Sequence, residues 1–161
     1  LGSDSTVFIV IEKPAHSELL YVVYIYEQHH ELLTEAIKRI KYLDSKFKFK
    51  KIMVDCSGLG AGVADVLREE VGFIVEGIVF TMQSKENMYS NVIILMQRKK
   101  LVLPNHRKLL YQLSDMRYEF SKDGSHVKIH HSERGHDDYP DALVLACSHF
   151  HGRMKIDYKM T

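Results

Sequence analysis

Two apolar runs near the N-terminus constrain this chain most. Thr6-Val7-Phe8-Ile9-Val10-Ile11 and Leu19 to Glu27 (LLYVVYIYE) carry almost unbroken β-branched, aromatic and aliphatic side chains. Strands of that kind are apolar on both faces, so both faces must be covered. Pro14-Ala15-His16-Ser17 separates the runs at hairpin-loop length, which predicts an antiparallel hairpin. The rest of the chain must therefore supply helices to either side of a sheet.

The downstream pattern supplies them. From His30 to Phe47 the period changes: Leu32, Leu33, Ala36, Ile37, Ile40 and Leu43 share one stripe opposite Lys and Arg, which predicts an amphipathic helix. Lys51 to Asp55 reads as a short strand ending in an acid, and Cys56 to Gly62 as a glycine-rich turn. Val63 to Val71 reads as a helix stopped at Gly72, and Phe73 to Phe80 as another strand. Helices follow over Ser84 to Lys99, with Ser84 as N-cap, and over Asn105 to Ser114, with extended Leu101-Val102-Leu103-Pro104 between them. Arg117 to Phe120 and Val127 to His130 flank the hairpin signal Lys122-Asp123-Gly124-Ser125. Tyr139-Pro140-Asp141 opens a last helix reaching about Met154. Strand–helix alternation implies parallel pairing in part of the sheet. The fold class is α/β: a mixed sheet of antiparallel hairpin plus parallel strands, with helices on both faces.

A chain of 161 residues, 45% hydrophobic with nine Tyr and seven Phe, can bury one domain-sized core. No apolar run approaches the roughly eighteen residues of a membrane span, so no membrane partner is expected. The start at Leu1-Gly2-Ser3-Asp4 does not resemble a signal peptide, and the two widely separated cysteines suit a reducing compartment. A net charge of +1 neither favours nor excludes nucleic acid.

Acids at the ends of elements carry the chemistry. Asp55 closes a buried strand, where α/β proteins place ligands. Asp137, Asp138 and Asp141 stand at the start of the last helix, with Asp138 and Asp141 on one side of it. Asp4 precedes the first apolar run. Singly, each has a structural explanation as a turn, cap or helix-dipole residue. Together, converging carboxylates would repel unless a cation neutralised them, and an all-oxygen ligand set suits Mg²⁺ or Mn²⁺. Two such ions can clamp the attacking and leaving oxygens of a phosphodiester.

Three stretches occur in order: Gly2-Ser3-Asp4-Ser5-Thr6-Val7, then Val54-Asp55-Cys56-Ser57-Gly58-Leu59-Gly60, then Gly135-His136-Asp137-Asp138-Tyr139-Pro140-Asp141-Ala142-Leu143. They resemble the C-terminal nuclease domain of the large terminase subunit, the DNA-packaging motor of tailed viruses, over most of the chain. Ser84-Lys85-Glu86-Asn87 and the stretch from Gln97 to Pro104 resemble the same pattern. The resemblance implies a ribonuclease H-like fold and metal-dependent cleavage of double-stranded DNA with low sequence specificity. It implies metal ligation by Asp55, Asp138 and Asp141, with Asp137 as a substitute and Asp4 as an accessory acid. The family's first-strand aspartate falls ahead of Leu1, so residues 1–154 are expected to form the domain without its first strand, followed by a polar tail over 155–161. No G-x-x-x-x-G-K-S/T occurs, so an ATPase domain is expected elsewhere in the polypeptide. The implied partners are DNA, that ATPase domain, the portal and the small terminase subunit, in host cytoplasm at the assembling capsid. A RuvC-like junction-resolving nuclease and a non-catalytic docking domain of the same fold are the alternatives.

Weaker signals surround these. Arg134, Lys85, Lys122, Arg98, Lys99 and Lys100 are candidate phosphate contacts, although basic residues at a helix C-terminus also favour its dipole. Gly58, Gly60 and Gly62 miss a G-x-G-x-x-G at Val63, which disfavours a nucleotide or methyl-donor site. His126, His130, His131 and His136 lie near the acids but lack zinc-ligand spacing.

Overall fold

The computed structural model describes residues 5–30, 32–57, 62–120, 127–132 and 136–150. The two apolar runs form β1 (Ser5–Glu12) and β2 (Leu20–His29), paired antiparallel from Ser5↔His29 to Glu12↔Tyr21 with one irregularity at Val10/Ile11. The amphipathic helix α1 (Leu33–Phe47) buries Ile37, Ile40 and Leu43. It begins three residues later than its period suggests and ends at Lys48, where φ is 55° and Asp44 accepts the Phe49 N–H at 2.8 Å.

β3 (Ile52–Asp55), α2 (Gly62–Val71) and β4 (Val75–Ile78) form the expected strand–helix–strand unit, with β3 and β4 parallel and Asp55 opposite Ile78. Gly77 is required there. A Cβ at this position would lie 2.6 Å from the Ala64 Cβ and 2.8 Å from the Cys56 Sγ, so α2 packs directly on the β4 backbone.

α3 (Met82–Gln97) leads to β5 (Leu101–Val102), which joins β2 in parallel. The expected cap at Ser84 is corrected: Thr81 is the N-cap, and Ser84 is its reciprocal partner three residues on. Each side chain accepts from the other's backbone N–H. Thr81 wins because the helix starts two residues earlier than the apolar pattern does. α4 (Arg107–Asp115) is capped by the His106 ring, and β6 (Arg117–Phe120) with β7 (Val127–His130) forms the expected ribbon. α5 (Asp138–Ser148) is the most buried helix, with Leu143, Val144 and Cys147 fully enclosed.

Alternate residues of the strands enter two separate cores. Val7, Ile9 and Ile11 of β1, with Met53 of β3, pack against the cluster built on α3, α4 and α5. Phe8 of β1, with Ile52 and Val54 of β3, packs against the cluster built on α1 and α2. The strands are therefore covered on both faces, as their composition demands. The shared phase also places β1 and β3 in one layer. Yet hydrogen bonding divides the strands into β1-β2-β5, β3-β4 and β6-β7, and among the described residues no ladder joins β1 to β3. Instead both strands, along their whole lengths, border a cavity of about 1260 Å³. Among the described residues no helix is long and apolar enough to cross a membrane.

Candidate active site

Asp55 ends β3 in phase with Met53, so it turns toward the α5 side of the layer. Its Oδ1 accepts the Ser57 N–H at 2.8 Å and the Ser57 hydroxyl at 2.5 Å. The same Ser57 Oγ accepts the Phe80 N–H at 2.7 Å, which ties the end of β3 to the β4–α3 junction. Asp138 and Asp141 lie in the first turn of α5, and both border the cavity that Asp55 borders. Three acids from two distant segments thus face one cavity.

Asp141 is held from two sides. Its Oδ1 accepts the Tyr89 hydroxyl at 2.6 Å, and its Oδ2 accepts the Lys85 ammonium at 3.0 Å. Lys85 also donates to Asp137 Oδ2 at 2.9 Å and lies over the rings of Phe80 and Tyr89, 5.6 and 5.8 Å from their centroids. Burial pushes the Asp141 carboxyl above the ordinary range. The Tyr89 and Lys85 contacts pull it back, and neighbouring Asp137 adds to the rise. Burial lowers the Lys85 ammonium, but the two carboxylates outweigh it and hold the group above its usual value. The Tyr89 phenol is driven well up by burial and by Asp141. At neutral pH the lysine is thus a fixed positive charge between two acids.

Glu27 on β2 bonds the Lys108 ammonium, and the Tyr139 hydroxyl acts on the same carboxylate, so that β2, α4 and the first turn of α5 meet at this residue.

Asp55, Asp138 and Asp141 offer only carboxylate oxygens, the donor chemistry of a hard divalent cation. Among the described residues no three His, Cys, Asp or Glu side chains gather closely enough to hold an ion unaided. Mg²⁺ and its analogues do not require that. One or two carboxylates suffice when water and phosphate oxygens complete the shell.

The other predicted site residues divide by position. Asp137 does not border the cavity but pairs with Lys85. Lys85, named as a phosphate contact, instead lies among the acids. Arg98, Lys99 and Lys100 are not brought to the site. They follow α3 beside Leu20, and Lys100 pairs with Glu18 at 2.6 Å. That end of the β1–β2 hairpin lies about 25 Å, at roughly 3.3 Å per residue, from the Ser5 end where Glu27 meets α5. Asp4, Lys122, Arg134, Gly58, Gly60 and His126 lie outside the described residues. The rings of His130 and His131 contact the carbonyls of His131 and Ser132 at 2.9 and 2.6 Å, and His136 is exposed.

Three contributors escape the acid-centred sequence reading. Tyr89 carries a signal, because it sits four residues after Lys85 on the same helical face. Ser57 carries another, since Asp-x-Ser is a pattern for carboxylate-to-backbone turns. Glu27 carries none, as it looks like the polar end of an apolar strand.

No family model matches the chain. The large terminase subunit of Thermus virus P23-45 is 25% identical over 152 residues, covering 94% of this chain and 30% of that protein. The large terminase subunit of Thermus phage G20c is 28% identical over 120 residues, covering 74% of this chain and 24% of that protein. The chain thus spans less than a third of the length of these curated relatives. Among solved structures, the large terminase nuclease of phage G20c with bound cobalt superposes with a TM-score of 0.70 at 22% identity, over 90% of this chain and 81% of that one. The nuclease domain of the large terminase subunit gp2 of bacterial virus Sf6 gives 0.62 at 14% identity, over 88% and 86%. These likenesses bear out the resemblance read from the ordered acidic stretches, and the fold is that of large-terminase nuclease domains.

Proposed function

We propose that this chain, similar in sequence and in fold to large-terminase nuclease domains, is a divalent-metal-dependent endonuclease domain that cuts double-stranded DNA during viral genome packaging. One observation carries the reading: Asp55 and the α5 pair Asp138 and Asp141, far apart in sequence, border one cavity, with Lys85 bonded to Asp141. Asp55, Asp138 and Asp141 would hold Mg²⁺ or Mn²⁺. Bound there, a pair of such ions supplies an activated water and stabilises the departing 3′ oxygen.

The chain's own residues do the rest. Ser57 and Tyr89 orient the Asp55 and Asp141 carboxylates. The Lys85 ammonium holds the Asp137 and Asp141 carboxylates in place. Sequence preference is weak, because backbone contacts position DNA without reading it. Arg134 and Lys122 remain candidate phosphate contacts, and Asp4 an accessory acid. A strand seated between the unjoined edges of β1 and β3 would pair with both and would carry the first-strand aspartate that the resemblance implies. The other partners proposed are an ATPase domain of the same polypeptide, the portal and the small terminase subunit, in the cytoplasm of the infected cell.

The decisive experiment is Asp55→Asn in the protein, assayed on plasmid DNA with Mn²⁺. The expected result is loss of cleavage with an unchanged circular-dichroism spectrum. Cleavage at the wild-type rate would overturn the reading. Branched DNA cut in strong preference to linear duplex would favour a junction-resolving nuclease instead.

A further inference from the structure

The Asp55 carboxylate is not simply displayed at a strand end. Ser57 occupies one of its two oxygens with both the backbone N–H and the hydroxyl, at 2.8 and 2.5 Å. Among the described residues Oδ2 has no hydrogen-bond partner, and Asp55 borders the cavity. A serine that only closed the turn would need its N–H alone. Here the hydroxyl is used twice: its proton goes to Asp55, and its lone pair accepts the Phe80 N–H at 2.7 Å. Phe80 precedes α3, the helix that carries Lys85 and Tyr89. A single hydroxyl therefore links the Asp55 carboxylate to the residue that leads into the helix carrying Lys85 and Tyr89.

We infer that Ser57 is the positioning residue of the site: its hydroxyl, anchored on the Phe80 amide, fixes the Asp55 carboxylate so that Oδ2 is presented to a divalent cation. The inference rests on the nuclease reading above and adds a role for a residue that touches neither substrate nor ion. A ligating carboxylate that is free to rotate must be ordered on binding. Partners that hold such ligands typically contribute about 10- to 100-fold to metal affinity or activity.

The test is a calorimetric titration of Mn²⁺ alone into the protein and its Ser57→Thr, Ser57→Val, Ser57→Ala and Asp55→Asn variants. Thr and Val have the same shape and differ by the hydroxyl, so their comparison holds even where Ser57→Ala lowers the melting temperature. The expected result is Mn²⁺ affinity near wild type for Ser57→Thr and about tenfold weaker or more for Ser57→Val and Ser57→Ala. Equal affinities for Thr and Val would overturn the role of the hydroxyl. With Asp55→Asn still impaired, that outcome would leave the nuclease reading standing. Asp55→Asn binding Mn²⁺ as tightly as wild type would remove the nuclease reading, and this inference with it.

Discussion

The phenol of Tyr89 on α3 donates a 2.6 Å hydrogen bond to Oδ1 of Asp141 on α5, while Lys85, one turn earlier on α3, holds Oδ2. One face of one helix thus engages both oxygens of a half-buried acid. Tyr89→Phe keeps the ring and removes the donor. The expected cost is about 1.5–3 kcal/mol of stability, the worth of a hydrogen bond to a charged group, measured by urea unfolding. Mn²⁺-dependent cleavage should fall about tenfold or more. A variant as stable and as active as wild type would show that the bond is incidental.

Lys85 neutralises Asp137 and Asp141 together. Lys85→Met removes that charge and leaves the two acids repelling, so without divalent ions the variant should lose about 1–3 kcal/mol. Mn²⁺ should then raise its melting temperature more than it raises that of the wild type, because the ion replaces a missing cation rather than competing with a resident one. Equal shifts in the two proteins would contradict this. Cleavage should drop as well, since the Asp141 carboxylate loses the partner that holds its Oδ2.

Glu27 gives the fold a pH dependence of definite sign. Burial pushes its carboxyl up, but the bonds from Lys108 and Tyr139 outweigh burial and hold it below the ordinary 4.5. The native state therefore binds fewer protons at this residue than the unfolded chain does. The stabilisation is present above the unfolded value and is lost as pH falls through the folded one. Glu27→Gln should be less stable than wild type by about 1–2 kcal/mol at neutral pH. Urea titrations across the acid range should show that deficit closing below pH 4.5. A deficit independent of pH would mean that Glu27 acts through packing alone.

Gly77→Ala tests the contact between α2 and β4. The added Cβ would meet Ala64 at 2.6 Å and Cys56 at 2.8 Å, so backbone must shift. The expected loss is about 1–3 kcal/mol by chemical denaturation. Asp55 lies beside this contact, next to Cys56. Cleavage should therefore fall by more than the stability loss explains, with assays run well below the melting temperature. Unchanged stability would show that α2 moves away at little cost.

The elements of the fold were legible in the sequence because they rest on local pattern. The unbroken apolar runs of β1 and β2 require cover on both faces, and the 3.6-residue stripe of α1 supplies part of it. The caps were less legible. Thr81 and Ser84 are both good capping residues, and the choice between them depends on where α3 meets β4.

The acids were legible as element ends, and Asp55, Asp138 and Asp141 do share a cavity. What those acids touch was not legible. The pairings of Lys85 with Asp137 and Asp141, and of Glu27 with Lys108 and Tyr139, join residues far apart in the chain. Such bonds depend on how helices cross the sheet rather than on any local period.

Sequence by itself determined which segments become strands and helices, which faces they bury and where carboxylates stand, since these follow from side-chain periodicity. Only the tertiary structure decided that a lysine sits among the acids and that Ser57 and Tyr89 hold them. The physical reason is that hydrogen bonds and ion pairs act over about 3 Å, and only packing brings distant residues within that range.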